Sequence, residues 1–213
     1  MAHIHLEDGS FTLFWVIVWW ALALVIIALA LFFLKRQGKT DNRRITIAAF
    51  CTAAAFVLFQ VDIPIAGGVH ISLTPLIGIL SGPLIGSFIV FIINILSAAI
   101  GHGGWGMIGA NTLVNFSEVV VAYGIWKGIK SLLPDVFFRA GIATFCGLVI
   151  GNIMMMGIIL ISGIQGVSQS PEQVLAGLSL IAVINIGVAV VEALITGFVV
   201  SSIGKIRPDL LEM

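Results

Sequence analysis

Residues 11–34 of this chain read FTLFWVIVWWALALVIIALALFFL, an apolar run without a charged side chain. A helix of this length covers about 36 Å at 1.5 Å per residue, which exceeds the roughly 30 Å hydrocarbon core of a bilayer. No basic segment precedes the run, as it would in a secretory signal peptide. We therefore predict that residues 11–34 form a retained transmembrane helix.

The composition extends this prediction to the whole chain. Of its 213 residues, 60% are hydrophobic and 9% are charged, a balance typical of integral membrane proteins. We predict an all-α fold, a polytopic bundle of about seven transmembrane helices. The bundle forms a single domain over residues 1–213, which includes an N-terminal tail at residues 1–10. The predicted helices are residues 11–34, 45–61, 71–80, 84–100, 109–126, 138–162 and 175–203, with a Ser-Gly-Pro turn at residues 81–83.

The basic residues indicate the orientation of the bundle. A basic cluster follows the first helix: Lys35, Arg36, Lys39, Arg43 and Arg44. Because cytoplasmic loops are enriched in Lys and Arg, we predict a multi-pass plasma-membrane protein with its N-terminus outside and its C-terminus cytoplasmic. All ten Lys and Arg residues then fall on the cytoplasmic side, and a net charge of zero provides no basic surface for nucleic acid.

The same orientation places all four histidines on the outer side: His3, His5, His70 and His102. A single histidine in an exposed tail is more often solvated than bound to a metal. Imidazoles gathered at one mouth of a membrane bundle nevertheless favour a transition-metal site. Within it, His102 is a ligand, a residue that orients another ligand, or an ordinary loop residue, and the second role fits its loop best.

The first five residues, MAHIH, carry the strongest chemical signal. A terminal amine, a deprotonated backbone amide and an imidazole can close fused chelate rings around Ni(II), Cu(II) or Co(II), with His70 as a further donor. If Met1 is removed, Ala2 supplies the amine and His3 supplies both the amide and the imidazole. If Met1 is retained, the amine, two amides and the His3 imidazole complete four nitrogens, and His70 is axial or idle.

A glycine-rich segment, residues 101–112 (GHGGWGMIGANT), is the second unusual stretch. Glycines allow close backbone approach, so we predict a re-entrant floor or lid near the metal site, although tight helix packing explains each glycine equally well. Asn111, near its end, is a candidate for orienting a metal ligand. Asp8 and Gly9 can turn the tail back over the bundle.

Several polar side chains fall inside the predicted helices: Asn94, Asn111, Asn115, Glu118, Asn152, Asn185 and Glu192. Intramembrane carboxyl groups usually face the bundle interior and have a partner there. Thr112, Asn115 and Glu118 lie about one helical turn apart and predict a polar face on their helix. Hydrogen bonding between helices explains these residues at least as well as an ion path, so none of them is predicted to be a ligand.

Three stretches of the chain resemble the CbiM/NikM family, the substrate-binding membrane subunits of energy-coupling factor (ECF) transporters for cobalt and nickel. Residues 5–9 (HLEDG) resemble the start of these proteins. Residues 64–70 (PIAGGVH) with 78–83 (GILSGP) are similar to a second family region, and residues 101–111 to a third. The C-terminal third of the chain matches mainly in hydropathy.

The resemblance implies a seven-helix bundle whose tail enters an outward pocket and binds the metal through the terminal amine, a near-terminal histidine and a loop histidine, here His70. Family members usually begin Met-His, so their motif histidine is residue two of the chain. In this chain the two criteria select different residues: the spacing to the Asp-Gly pair selects His5, whereas the distance from the amine selects His3. We favour His3 with the Ala2 amine and give His5 a competing or supporting role. The transported ion is Ni2+ or Co2+, and no permanent cofactor is implied.

The resemblance also implies partners: a transmembrane coupling subunit and two cytoplasmic ATPase subunits. Ala49 and Ala53, four residues apart on the second predicted helix, offer a small-residue face for such a contact. The chain contains no GxxxxGK[ST] motif, so it does not bind ATP through a P-loop. The energy for uptake must then come from the ATPase subunits, and this chain itself is predicted not to be an enzyme. The alternatives are a membrane metal sensor and an intramembrane metallohydrolase, which the lack of HExxH disfavours.

Overall fold

The structure, a computed structural model, describes residues 8–37, 42–59, 71–166 and 170–211. They form the helices α1 (Leu13–Arg36), α2 (Asn42–Phe59), α3 (Thr74–Ala99), α4 (Ile108–Gly128), α5 (Val136–Ser162) and α6 (Pro171–Ile206), with short 3-10 turns at Trp105–Met107 and Pro208–Leu210. No strand occurs in these described ranges. The prediction of an all-α fold is therefore confirmed.

Five described segments are long and apolar enough to cross a membrane: Leu13–Arg36, Thr74–Ala99, Trp105–Gly128, Val136–Ser162 and Glu172–Ile206. Large apolar side chains such as Phe14 and Phe198 are both 65% exposed on their surfaces, as side chains that face lipid are. The multi-pass membrane character is thus confirmed. The prediction of seven crossings and of an outward N-terminus is not.

Helix α3 is broken at the predicted Ser-Gly-Pro turn. Gly82 has φ 73° and ψ 172°, outside the helical region, and Pro83 follows it. The two arms of α3 fold back on each other, because a Cβ on Gly86 would lie 3.6 Å from Ile77 Cγ2, whereas a straight helix separates these positions by about 13 Å. The first arm, residues 74–81, is about 12 Å long. The third predicted span, residues 71–80, is therefore a short arm that leads to the break, and by itself it is shorter than the roughly 30 Å of a bilayer core.

Helices α1 and α4 start at one end of the bundle, where α5 ends. Trp19 near the start of α1 donates from Nε1 to Ser162 Oγ at the end of α5, at 2.8 Å. At the opposite end, Arg139 in the first turn of α5 stacks on Trp126 near the end of α4, with Cζ 3.7 Å from the ring centroid. We call the end that holds residues 8–12 the tail end and the other the basic end.

The names reflect a separation of charge. The basic residues whose side chains are described lie in the segments at the basic end: Lys35, Arg36, Lys127, Lys130, Arg139, Lys205 and Arg207. His102 lies in the loop between α3 and α4 at the tail end. For the described residues, the predicted segregation of basic side chains from histidine is confirmed.

The polar side chains predicted inside the helices face the interior. Helix α4 packs against α1, α3 and α5, and Thr112, Asn115 and Glu118 on its polar face are 0%, 2% and 0% exposed. Asn185 of α6 donates from Nδ2 to Asn152 Oδ1 of α5 at 2.8 Å. The predicted polar face of this helix is confirmed, and at least one asparagine pair ties two helices together.

Candidate metal centre at the tail end

Most of the predicted metal ligands lie outside the described residues: Ala2, His3, His5 and His70. Among the described residues, no group of three or more His, Cys, Asp or Glu side chains could hold a metal ion. The donor set therefore stays a prediction. The structure describes three segments that adjoin or carry predicted site residues, namely the tail from Asp8 onward, the loop that carries His102 and the start of α3.

Asp8 fastens the tail to the glycine-rich loop. Its Oδ2 accepts a hydrogen bond from the Trp105 N–H at 3.1 Å, and its Oδ1 accepts one from the Gly106 N–H at 2.7 Å. These N–H groups open the helical segment that leads into α4, where unpaired donors and the helix dipole favour a carboxylate. Gly9 has φ 91°, a conformation that glycine adopts at little cost. The predicted turn at Asp8 and Gly9 is confirmed.

Two further contacts close the tail end. The Ser10 carbonyl accepts a hydrogen bond from the Gln165 N–H at 2.8 Å, which joins the tail to the α5–α6 connection. Trp20 Nε1 donates to the Trp105 carbonyl at 3.2 Å, which joins α1 to the glycine-rich loop. Phe11 beneath them is 2% exposed. The tail therefore contacts two separate segments, the glycine-rich loop and the α5–α6 connection.

His102 lies in the loop that Asp8 contacts and is half-buried. Its N–H donates to the Ser97 carbonyl at 2.8 Å, and the flanking Gly101 and Gly103 have φ values of 81° and 90°. A Cβ on Gly104 would lie 2.9 Å from Asp8 Cγ, so the loop has no room there for a side chain. The loop, which we call the lid, thus packs against Asp8 of the tail, and the same loop carries His102.

A buried carboxylate of α6 holds the start of α3. Glu192 is 0% exposed and accepts hydrogen bonds from the Ser72 N–H at 3.2 Å and the Ser72 hydroxyl at 3.0 Å. Ser72 Oγ in turn accepts one from the Thr74 N–H at 3.3 Å. Ser72 follows His70 by two residues. Glu192 therefore fixes the point at which the histidine-bearing segment joins α3.

The sequence analysis missed this role of Glu192. The signal in the sequence is a carboxylate inside a 36-residue apolar helix, which predicts a partner but does not identify it. The partner Ser72 is 120 residues away along the chain. Only the packing of α6 against the start of α3 identifies the pair.

The other predicted contact residues are described. Asn111 is 2% exposed on α4, so it is buried in the bundle, and its predicted role towards a metal is untested. On α2, Ala49 and Ala53 are both exposed, and they share this helix with Phe50 and Val57, which are 75% and 64% exposed. This part of α2 has the open surface that the predicted contact with a coupling subunit requires.

Replacement of Asp8 by Asn should loosen the lid. Loss of the charge weakens both hydrogen bonds from the loop, since bonds to charged groups contribute more than neutral ones. We expect the amide protons of Trp105 and Gly106 to exchange at least about fivefold faster, as measured by hydrogen exchange and mass spectrometry in detergent.

The matched control is Asp135→Asn at the basic end. Asp135 Oδ1 accepts a hydrogen bond from the Phe138 N–H at 3.0 Å, so this variant should accelerate exchange at Phe138 and leave the lid unchanged. Equal exchange at Trp105 and Gly106 in the wild type and Asp8→Asn would show that the carboxylate does not hold the lid.

Comparison with known proteins adds independent information. A family model described as a cobalt uptake substrate-specific transmembrane region, CbiM, matches residues 5–210. The chain is 28% identical over 218 residues to the cobalt transport protein CbiM of Kyrpidia tusciae, covering 98% of this chain and 86% of that one. It is 31% identical over 148 residues to the protein of the same name from Carboxydothermus hydrogenoformans, covering 68% and 61%.

A solved structure shares the fold. The crystal structure of a transition metal transporter superposes with a TM-score of 0.80 at 20% sequence identity, covering 95% of this chain and 93% of that one. At this identity the similarity concerns the arrangement of the helices. The order and packing of the helices described above are therefore those of a known membrane architecture.

Proposed function

This chain belongs to the CbiM family of cobalt uptake substrate-specific transmembrane regions, and from that premise we propose that it captures Ni2+ or Co2+ at the outer face for an ECF-type importer. The observation that carries the proposal is the anchored tail. Asp8 holds the N-terminal segment against the lid that contains His102. Because His5 and His3 precede Asp8 by three and five residues, an anchor at Asp8 supports a metal site at this mouth of the bundle.

Chain length supports a meeting of the tail with the loop histidine. Five residues separate His3 from Asp8, and they can span at most about 18 Å. The step from His70 to Ser72 spans at most about 7 Å, and Ser72 is held by the buried Glu192. The 3-10 turn and α4 together rise about 19 Å from Gly106 to Glu118, and Thr74 at the start of α3 lies beside Glu118. The two lengths together, about 25 Å, exceed this rise, so His3 and His70 can meet.

The proposed metal donors are the nitrogen atoms of the chelate predicted from the sequence. With Met1 removed, Ala2 provides the amine, His3 the amide and an imidazole, and His70 the fourth nitrogen, a set that suits Ni(II) and accepts Co(II). His5 supports or competes with His3. His102 and Asn111 orient these donors through hydrogen bonds, in the way that residues around a metal site commonly do. No permanent cofactor is required.

Energy for uptake comes from partners in this proposal. A transmembrane coupling subunit contacts α2 at Ala49 and Ala53, where small side chains allow another helix to approach closely, and two ATPase subunits bind the coupling subunit in the cytoplasm. The tail end faces outward and the basic end faces the cytoplasm, since basic residues concentrate on cytoplasmic ends. The whole chain acts as one domain in the plasma membrane.

The test is accumulation of radioactive cobalt and nickel by cells that express this chain with the coupling and ATPase subunits of its own genome. Uptake should require an intact P-loop lysine in the ATPases. His3→Ala and His70→Ala should each lower uptake at least about tenfold, and His5→Ala should lower it less.

Two results would contradict the proposal. Uptake that persists without the ATPases would exclude an ECF importer. Tight metal binding by the purified chain without any uptake by the complete system would favour a metal sensor instead. Equal amounts of each variant in the membrane, measured by immunoblot, are the control for expression.

A further inference from the structure

Glu118 occupies an unusual position at the centre of the bundle. It lies on α4, is 0% exposed, and neither carboxyl oxygen has a hydrogen-bond partner within the described residues. The side chain of Thr74, at the start of α3, faces the carboxyl group without meeting hydrogen-bond geometry. Buried carboxylates are normally paired, because an isolated charge in a low-dielectric interior is very costly.

The surrounding helices make room for this carboxyl group. A Cβ on Gly151 of α5 would collide with Glu118 Oε1 and lie 2.5 Å from its Cγ. One turn earlier on α5, a Cβ on Gly147 would lie 3.0 Å from the Glu118 carbonyl oxygen. Any side chain larger than glycine at position 151 would therefore displace the Glu118 side chain.

The charges of the described side chains around Glu118 do not balance it. The Glu192 carboxylate is close enough to interact with it electrostatically, and Glu192 is already supplied with donors by Ser72. The innermost described basic residue, Arg139, precedes Gly151 by twelve residues on α5, or about 18 Å. No described basic side chain therefore lies beside the Glu118 carboxyl group.

We infer that Glu118 is the counter-charge for the captured metal ion. This inference rests on the proposed function. An amine, one deprotonated amide and two imidazoles around a divalent ion leave a net charge of +1, which one carboxylate balances. Glu118 faces Thr74, two residues beyond Ser72 and four beyond His70, so its charge lies near the segment that carries the loop donor. Glu118 acts through the electric field and does not coordinate the ion.

The test compares Glu118→Gln with the wild type by calorimetric titration of Ni2+ and Co2+ into the full chain with an untagged N-terminus. Coulomb attraction between a divalent centre and a buried carboxylate is strong even at an effective dielectric constant near 20, so Glu118→Gln should weaken binding at least about tenfold. The Ni(II) absorption spectrum at saturation should stay unchanged, because the donor atoms are the same.

Glu172→Gln is the matched control, since it removes one carboxylate from the exposed first turn of α6. It should change the affinity by less than about twofold, because solvent and salt screen an exposed charge. Glu118→Asp keeps the charge and should bind within about threefold of the wild type. If thermal unfolding shows that Glu118→Gln does not fold, Glu118→Asp and Glu118→Asn replace the first pair. Their side chains are shorter by one methylene, and they again compare a charged with a neutral group of equal size.

Three outcomes would overturn the inference. They are unchanged affinity in folded Glu118→Gln, equally weak binding by Glu118→Asp and Glu118→Gln, and a shifted Ni(II) spectrum that makes Glu118 a ligand. Failure of the wild type to bind either ion is a different result, because it rejects the proposed metal capture itself.

Discussion

Extension of the N-terminus by two residues should lower the affinity for Ni2+ and Co2+ at least about a hundredfold, or about 2.8 kcal/mol in binding free energy. The added peptide bond converts the terminal amine into an amide and moves the new amine away from His3. The fused chelate rings then lose one nitrogen donor, and the four-nitrogen set, which suits Ni(II) and accepts Co(II), is incomplete. Calorimetric titration of purified protein, with Met1 processing established by intact mass, measures the change.

The control is the same two-residue extension at the C-terminus, which lies at the opposite end of the chain from the tail. It should leave the affinity unchanged. Tight binding that survives extension of the N-terminus would contradict the amine chelate, and it would shift the site to the imidazoles of His5, His70 and His102.

Gly109→Ala should destabilise the protein by roughly 3 kcal/mol, near the upper end of overpacking costs. A Cβ on Gly109 would lie 2.5 Å from the Trp20 backbone nitrogen and 2.6 Å from the Trp19 carbonyl carbon. Backbone atoms cannot move aside as a flexible side chain can, so α1 and α4 must separate. We expect the apparent Tm in detergent to fall by roughly 6 to 12 °C. Because Trp20 also binds the Trp105 carbonyl, the lid should loosen as well.

Gly124→Ala is the matched control on the same helix. A Cβ on Gly124 would have no neighbour within 4 Å, and alanine is a better helix former than glycine by about 1 kcal/mol. The control should therefore be neutral or slightly stabilising. A Gly109→Ala variant as stable as the control would show that α1 and α4 are packed less tightly at this point than the structure describes.

Local patterns in the sequence predicted much of the described helical structure. The apolar run after residue 10 matches α1, and the spacing of Thr112, Asn115 and Glu118 predicted the buried face of α4. Turn chemistry placed the break at Gly82. These predictions succeeded because hydropathy, helical period and turn preference act over a few residues, with no need of a distant partner.

Long-range packing decided what the sequence left open. The sequence suggested that Asp8 turns the tail, but not that its carboxylate binds the Trp105 and Gly106 N–H groups. It marked Glu118 and Glu192 as buried carboxylates, but not that Gly151 accommodates the first and Ser72 binds the second. Each partner is far away along the chain, so only helix packing brings the pair together.

The sequence by itself thus determined that this is a helical membrane protein, that its basic residues lie at one end and that its tail turns at Asp8 and Gly9. The tertiary structure alone decided that the two arms of α3 fold back on each other and that the Glu118 carboxyl group faces the start of α3. The physical reason is that membrane insertion follows the composition of each segment, whereas an interior contact depends on how closely two helix backbones approach.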